Sequence, residues 1–437
     1  MSDASGSSRR RRSRRSRRSD QHDAAHGAAE LDAPAHIPDH PDIPAGAPQL
    51  IDDCETLEAF CAHVREAGLF AYDTEFIGEE SYFPQLCLIQ LATCERIGVV
   101  DALAPVDLTP VWEMIADPAL TTIVHAGQQD LEPVVRLLDR SPAAVFDTQI
   151  GAGFLDRPYP MSLRQLVREL VGVSLGKALT FTRWDLRPVS DVHLRYAADD
   201  VRYLPALAER IRAALAEAGY LEWVDEECAA LADPARYRFD AGTRTMRILG
   251  KRSLRPRGAA VLRELVTLRE ELAREQDVPP RTLLADEVLV RVAKSAPAAV
   301  AGLLSVKGMP RPIVQAHGDA VLAAVCRGAD IPTDERPRSA TVEETPEQRV
   351  RIDGIWNLIC AYCQARGVDA RLITSRREIA IWLVGRKQDR DALSIQRGWR
   401  RTFIGELLDG ILAGSIDVTF RWRNGHLEAQ TSDNGQA

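Results

Sequence analysis

Five side chains in this 437-residue chain have the types and spacing that metal-dependent hydrolysis of a phosphodiester needs. Asp73-Thr74-Glu75 closes a β-rich run. Residues two apart in an extended strand point to the same face, so both carboxylates can converge on one point. Asp130 ends the stretch HAGQQD (125–130) at a strand-to-helix junction, and Tyr196 and Asp200 stand four apart in a helical pattern, sharing a face. Four carboxylates offer hard oxygen ligands to a pair of Mg²⁺ or Mn²⁺ ions. Two such ions about 3.5–4 Å apart activate a water and stabilise a leaving 3′-oxygen. A tyrosine hydroxyl beside them can hold that water in line.

The information lies in order and context. Asp-x-Glu alone says little in a chain with 63 acidic residues, and Asp225-Glu226-Glu227 repeats it. Tyr-x-x-x-Asp occurs only at 196–200. Asp199, three positions from Tyr196, is a rival for the same helix face.

The elements that must position these groups can be read from the apolar patterning. GLFAYDTEF (68–76), LCLIQLAT (86–93) and IGVVDA (97–102) are short β-rich runs with polar or glycine breaks between them. A helical pattern at 108–118, a buried strand at 121–127, a helix at 129–139 and a strand at 144–149 follow. This order predicts an α/β domain with a mixed sheet flanked by helices. The pattern from 162 to 233 is mainly helical, its longest piece running from about Asp191 to Ala218. Beyond 233 it becomes all-α. Helices are expected at about 257–276, 282–294, 298–306 and 313–326, then a linker at 331–348 and a second helical unit at 349–413. The two units are similar in size and could be tandem copies of one module. Asn424-Gly425 suits a tight terminal hairpin turn. Residues 1–48 read as a disordered tail, Arg/Ser-rich and then acidic.

The formal net charge of −8 hides a strong segregation. Residues 49–232 hold 14 basic and 30 acidic side chains, net −16, while 233–437 hold 33 basic and 26 acidic, net +7. The first 20 residues carry eight Arg against two Asp, net +6. An acidic block is therefore bracketed by basic segments able to grip a phosphate backbone. The eight cysteines are scattered, with one Cys-x-x-Cys at 360–363 and no second pair to complete a zinc tetrad. Neither a secretory signal nor a run of about 18 apolar residues occurs, so the expectation is a cytoplasmic protein without a membrane partner.

In these motifs the chain resembles the ribonuclease D family of 3′–5′ exonucleases, the tyrosine subtype of the four-acid superfamily. The carriers are Asp73-Thr74-Glu75-Phe76 with FPQLCLIQL (83–91), HAGQQDL (125–131), and LGKALTFTRWDLRPVSDVHLRYAADDVRYL (175–204). The match covers roughly 50–232. It implies the RNase H-like exonuclease fold over 49–232, with Asp73, Glu75, Asp130 and Asp200 as metal ligands and Tyr196 positioning the attacking water. Arg183 departs from the family pattern, which has Asp before the tryptophan of this block. Residues 251–330, after a connector at 233–250, resemble the helicase-and-RNase-D C-terminal (HRDC) domain. Within 349–437, which ends in the expected hairpin, RLITSRREIAIWLVG (371–385) and GWRRTFIGELLDGILAG (398–414) resemble a second, HRDC-like module.

The resemblance implies a divalent-metal-dependent 3′–5′ exoribonuclease that takes RNA with a single-stranded 3′ end, tRNA precursors as the substrate class, and releases nucleoside 5′-monophosphates. The expected metal is two Mg²⁺ or Mn²⁺ ions per site. Expected phosphate contacts are Lys177 and Arg187 beside the third motif, and Arg376, Arg377, Arg400 and Arg401, with Arg386, Lys387 and Arg397, in the last unit. Trp356, Trp382 and Trp399 are expected in the core, Gln90 as a satisfied buried amide, and His125 as a packing residue rather than a ligand. Two alternatives stay open on sequence: a 3′–5′ DNA exonuclease, and a non-catalytic RNA-binding scaffold on a decayed exonuclease fold. Against them stand the complete set of motif residues and the lack of a Gly-x-x-x-x-Gly-Lys-Ser/Thr phosphate loop.

Overall fold

The computed structural model of the chain describes residues 37–78, 80–176, 182–250, 254–337, 344–385 and 387–433. After a short strand β1 (Gln49–Ile51), Asp53 accepts from the Thr56 N–H at 2.9 Å and caps helix α1 (Cys54–Ala67). Leu57, Phe60, Cys61 and Val64 are its buried face, at helical spacing. Gly68 ends it in a left-handed conformation, φ 73°, which a residue without Cβ adopts freely. The chain then enters the meander β2 (Leu69–Ile77), β3 (Gln85–Ala92) and β4 (Ile97–Asp101). Helix α2 (Thr109–Ile115), β5 (Thr121–Val124), α3 (Glu132–Leu138) and β6 (Val145–Asp147) follow.

The sheet order is β1-β4-β3-β2-β5-β6. The β2–β3 and β3–β4 pairs are antiparallel, whereas β1–β4, β2–β5 and β5–β6 are parallel. The mixed sheet expected from the meander-then-alternation pattern is present. One helix, α1, lies in a stretch to which the apolar patterning assigned no element.

Helices α4 (Thr148–Ala152), α5 (Leu163–Leu170), α6 (Asp191–Arg202), α7 (Leu204–Ala218) and α8 (Leu221–Ala229) complete this domain. The single long helix expected over 191–218 is two, divided at Tyr203. Pro205 is the cause: it has no N–H to continue the helix and is tolerated only in a first turn. The disordered tail expected over 1–48 is also corrected in part. Positions 1–36 lie outside the described residues, but Ile43 is 3% exposed in the core and the buried Arg202 guanidinium holds the Pro44 and Gly46 carbonyls.

The remaining helices form two bodies. Helices α9 (Ala241–Leu249), α10 (Pro256–Glu275), α11 (Pro280–Leu283), α12 (Asp286–Ser295), α13 (Val300–Leu304) and α14 (Arg311–Asp330) enclose a separate hydrophobic core. Helices α15 (Pro346–Ala365), α16 (Ala370–Ile373), α17 (Arg376–Val384), α18 (Lys387–Asp391), α19 (Gly398–Arg400) and α20 (Glu406–Ala413) do not. Their apolar residues, Ile352 to Leu408, join the core of the sheet domain. Each body contains a 20-residue helix followed by a four-residue one, but they are covered differently. The hairpin β7 (Ile416–Arg423) and β8 (His426–Asp433) turns on Asn424 and Gly425, φ 50° and 82°, the two left-handed residues a tight two-residue hairpin loop requires.

Candidate active site

Strand β2 is longer than its parallel neighbour. β5 pairs with β2 only over Leu69–Ala71, so β2 from Tyr72 onward has a free edge beside the turn that follows β5. Asp73 and Glu75 project from one face of this stretch, the face on which α6 packs. Tyr72 and Thr74 take the other parity, and both reach Asp130. The Tyr72 hydroxyl donates to the Asp130 carbonyl at 2.7 Å, and the Thr74 hydroxyl donates to its carboxylate. Asp130 is thus drawn to β2 by the residues that alternate with the two acids.

The turn that delivers Asp130 is fixed from beneath. Asp147, at the end of β6, accepts from the Ala126 N–H at 3.1 Å and caps α4 through the N–H groups of Gln149 and Ile150. Ala126 is held at φ 59°, and a Cβ on Gly127 would stand 2.5 Å from the Val124 side chain, so only glycine fits there. His125 bonds Thr148 at 2.9 Å and the Met161 carbonyl at 3.0 Å. It packs and anchors the turn, in agreement with the expectation.

Helix α6 brings the third segment. Asp200 lies close enough to Glu75 and Asp73 to raise both. Asp199 instead pairs with Arg202 at 3.1 Å, which separates the rivals on the helix. Tyr196 rests against Trp184, ring centroids 5.9 Å apart, with Trp184 itself 6% exposed.

The four acids stand in a shared and unfavourable electrostatic environment. Burial, then repulsion from Asp130, Asp200 and Glu75, holds Asp73 well above the usual carboxylate range. Burial first, then Asp200 and Asp130, pushes Glu75 up to about 8. Burial, Asp199 and Asp130 push Asp200 to about 7. Asp130 is raised by burial, against the hydrogen bond from Thr74. Among the described residues, no cation offsets the repulsion on Glu75 or Asp200. Such a cluster is what hard divalent cations neutralise. Nor do any three of the described His, Cys, Asp and Glu side chains already form a finished coordination shell.

The expected phosphate contacts fare differently. Lys177 and Arg386 lie outside the described residues. Arg187 is a brace: it binds Asp101 through Nε at 2.6 Å, with further bonds to the Trp184 and Cys87 carbonyls, and so staples the block carrying Trp184 to the sheet. Arg376 is taken by Glu344 and Asp353. Arg401 is taken by Asp409 and Gln396. Arg400 forms two bonds to Glu227, at 2.7 and 2.8 Å, and lies 4.5 Å from the Trp399 ring. The phosphate contacts expected at Arg376, Arg400 and Arg401 are therefore corrected, since these three arginines tie elements together; Trp399, 2% exposed, lies in the core as expected. Arg377 is exposed. Arg183, the departure from the motif, pairs with its neighbour Asp185.

Gln90 overturns another expectation. It is fully buried directly across from Asp73, and among the described residues neither amide atom has a hydrogen-bond partner. The supporting roles of Tyr72, Thr74, Asp147 and Trp184 were not read from sequence. The alternation of Tyr72 and Thr74 with the acids was the available signal.

Comparison with known proteins agrees with this architecture. The family model described as 3′–5′ exonuclease matches residues 48–216, and the HRDC domain model matches 258–325. A ribonuclease D from Gluconacetobacter diazotrophicus is 35% identical over 382 residues, covering 85% of this chain and 95% of the relative. That of Escherichia coli is 31% identical over 369 residues, covering 83% and 98%. The crystal structure of Escherichia coli RNase D superposes with a TM-score of 0.73 at 30% identity, covering 84% of this chain and 99% of that one. With near-complete coverage of such relatives and an exonuclease sheet carrying the clustered acids, the chain belongs to the ribonuclease D family and is a 3′–5′ exoribonuclease.

Proposed function

We propose that Asp73, Glu75, Asp130 and Asp200 together hold two divalent ions, Mg²⁺ or Mn²⁺, and that Tyr196 positions the attacking water. The observation that carries this reading is the convergence of carboxyls from three distant chain segments: Asp73 and Glu75 on one face of β2, Asp130 held to β2 by Thr74 and Tyr72, and Asp200 on α6, which packs against β2. The exonuclease superfamily is divalent-metal dependent, and this donor set is all hard oxygen. When bound, such ions lower the pKa of a water and stabilise a leaving oxygen. The protein's own part is positional. Thr74 and Tyr72 fix Asp130, Trp184 backs Tyr196, and Asp147 sets the turn between β5 and α3.

The substrate we propose is RNA with a single-stranded 3′ end, with tRNA precursors as the class and nucleoside 5′-monophosphates as products. The Escherichia coli protein is described as an exoribonuclease involved in structured RNA processing, which supports this choice. The test is Mg²⁺-dependent nucleotide release from a 3′-extended tRNA, run beside a matched DNA. Full activity in an Asp73→Asn/Glu75→Gln variant would sink the proposed site, and faster DNA digestion would sink the proposed substrate.

A further inference from the structure

The loop between β2 and β3 starts three residues beyond Glu75, and its Tyr82 leaves the exonuclease domain altogether. The Tyr82 hydroxyl donates to Glu270 and accepts from Arg274 Nη2 at 3.1 Å, both residues of α10. The Arg274 guanidinium lies 5.2 Å from the centre of the Tyr82 ring. The Tyr82 backbone N–H donates to the Asp277 carboxylate, just beyond α10, at 3.1 Å. Among the described residues of the exonuclease domain, Tyr82 alone packs on the separate core of α9–α14.

The same loop is tied in the opposite direction. Phe83 meets the Tyr82 ring edge-on at 4.6 Å, and the Arg136 guanidinium sits 4.4 Å from the Phe83 ring. Arg136 belongs to α3, which begins two residues after Asp130. A row of two aromatic rings flanked by two cations, Arg136–Phe83–Tyr82–Arg274, thus runs from the segments that bear Glu75 and Asp130 to the HRDC domain. Aromatic pairs and cation–π contacts of this geometry are each modest. Here they converge on one loop together with charge-assisted hydrogen bonds.

We infer that Tyr82 is a positioning residue that selects substrates: it latches the HRDC domain to the active-site loop, so that structured RNA is gripped at its body and its 3′ end together. The inference rests on the reading of the four acids as the hydrolytic site. Its physical basis is effective concentration. A docked second contact is engaged without a further search, whereas a domain held only by its connector is engaged far less often. A short oligonucleotide that reaches only the acids gains nothing from the latch. An RNA hairpin with a single-stranded 3′ extension gains on binding, in KM rather than in kcat.

The experiment uses the full-length chain as wild type, Tyr82→Ala, Tyr82→Phe and Arg274→Ala. Each is assayed on a short unstructured RNA and on a hairpin with a 3′ extension. Tyr82→Ala is expected to raise KM for the hairpin RNA about 10-fold, below the roughly 10²–10⁴ that losing a linked contact outright costs, because the connector remains. On the short RNA its kinetics stay within about twofold of wild type. Tyr82→Phe, which keeps the ring and loses the hydroxyl, falls between. Arg274→Ala attacks the contact from the HRDC side and should reproduce Tyr82→Ala, with the double variant no worse than either single one. Equal losses on both RNAs, or no change on either, would overturn the latch. Solution scattering tests the docking without any activity: the Tyr82→Ala chain should be larger than wild type, and identical curves would overturn the inference. A wild-type chain that degrades neither RNA would instead count against the reading of the acids, leaving the scattering result to decide the latch.

Discussion

Thr74 donates its hydroxyl to the carboxylate of Asp130, which lies 56 positions further along the chain. Tyr72 secures the same residue through its backbone carbonyl at 2.7 Å. The strand that carries two acids therefore orients a third. Replacing Thr74 by valine keeps the shape and removes the hydrogen bond. Groups that orient metal ligands typically govern affinity by 10–100-fold, so Thr74→Val should raise the Mg²⁺ concentration for half-maximal activity by about 10-fold. Metal titration of the activity, with circular dichroism to verify the fold, measures it. An unchanged Mg²⁺ requirement would show that Asp130 needs no such hold.

The raised carboxyls make stability depend on pH in a defined sense. Glu75 is pushed up to about 8 and Asp200 to about 7 by burial and neighbouring carboxylates. In the unfolded chain both return to about 4. Across that window the folded chain binds more protons than the unfolded one, so acid favours the fold. The contribution is fully present below about pH 4 and is lost as pH rises through about 7 to 8. With a chelator present, the melting temperature should fall between about pH 5.5 and pH 8, because ionising these buried groups opposes folding. Mg²⁺ should raise it more at the upper end, where it neutralises ionised ligands. A Mg²⁺ effect equal at both pH values would contradict the clustering.

What could be read from sequence follows from the range of each interaction. The parity of Asp73 and Glu75 and the shared face of Tyr196 and Asp200 are local periodicities, two and four residues long, and the structure keeps both. The mixed sheet was legible for the same reason. Partners distant in the chain were not. Nothing around Arg400 announces Glu227, 173 residues earlier, so an exposed phosphate contact and an internal brace looked alike in sequence. Nor did the isolated Ile43, in a stretch of Asp, His and Pro, reveal that residues 37–48 lie against the domain. The division at Tyr203 was within reach, since Pro205 states it outright.

Among the described residues, nothing satisfies the donor or the acceptor of the Gln90 amide, which is fully buried opposite Asp73. An unpaired buried polar group costs about 1–3 kcal/mol. Gln90→Met nearly preserves volume and removes that cost, so the metal-free protein should become more stable by about 1 kcal/mol. Urea unfolding in the presence of a chelator reads this directly through the midpoint at unchanged slope. The opposite sign would mean that the amide makes a stabilising bond in solution.

Arg400 separates two roles that a basic residue can have in an RNA-processing protein. Its two bonds to Glu227 join the C-terminal helices to the exonuclease domain, both side chains being 18% exposed. The Trp399 indole N–H also donates to Glu227, at 3.2 Å. Removing one partner of a fully buried ion pair costs about 3–5 kcal/mol; with this residual exposure, Arg400→Ala should cost about 2 kcal/mol of stability. A phosphate ligand behaves otherwise: its loss weakens RNA binding uniformly and lowers the salt slope by about 1. Arg400→Ala is expected to destabilise the fold while leaving that slope unchanged, measured by unfolding and by RNA binding across a salt series. A reduced slope with undiminished stability would return Arg400 to the RNA-binding surface.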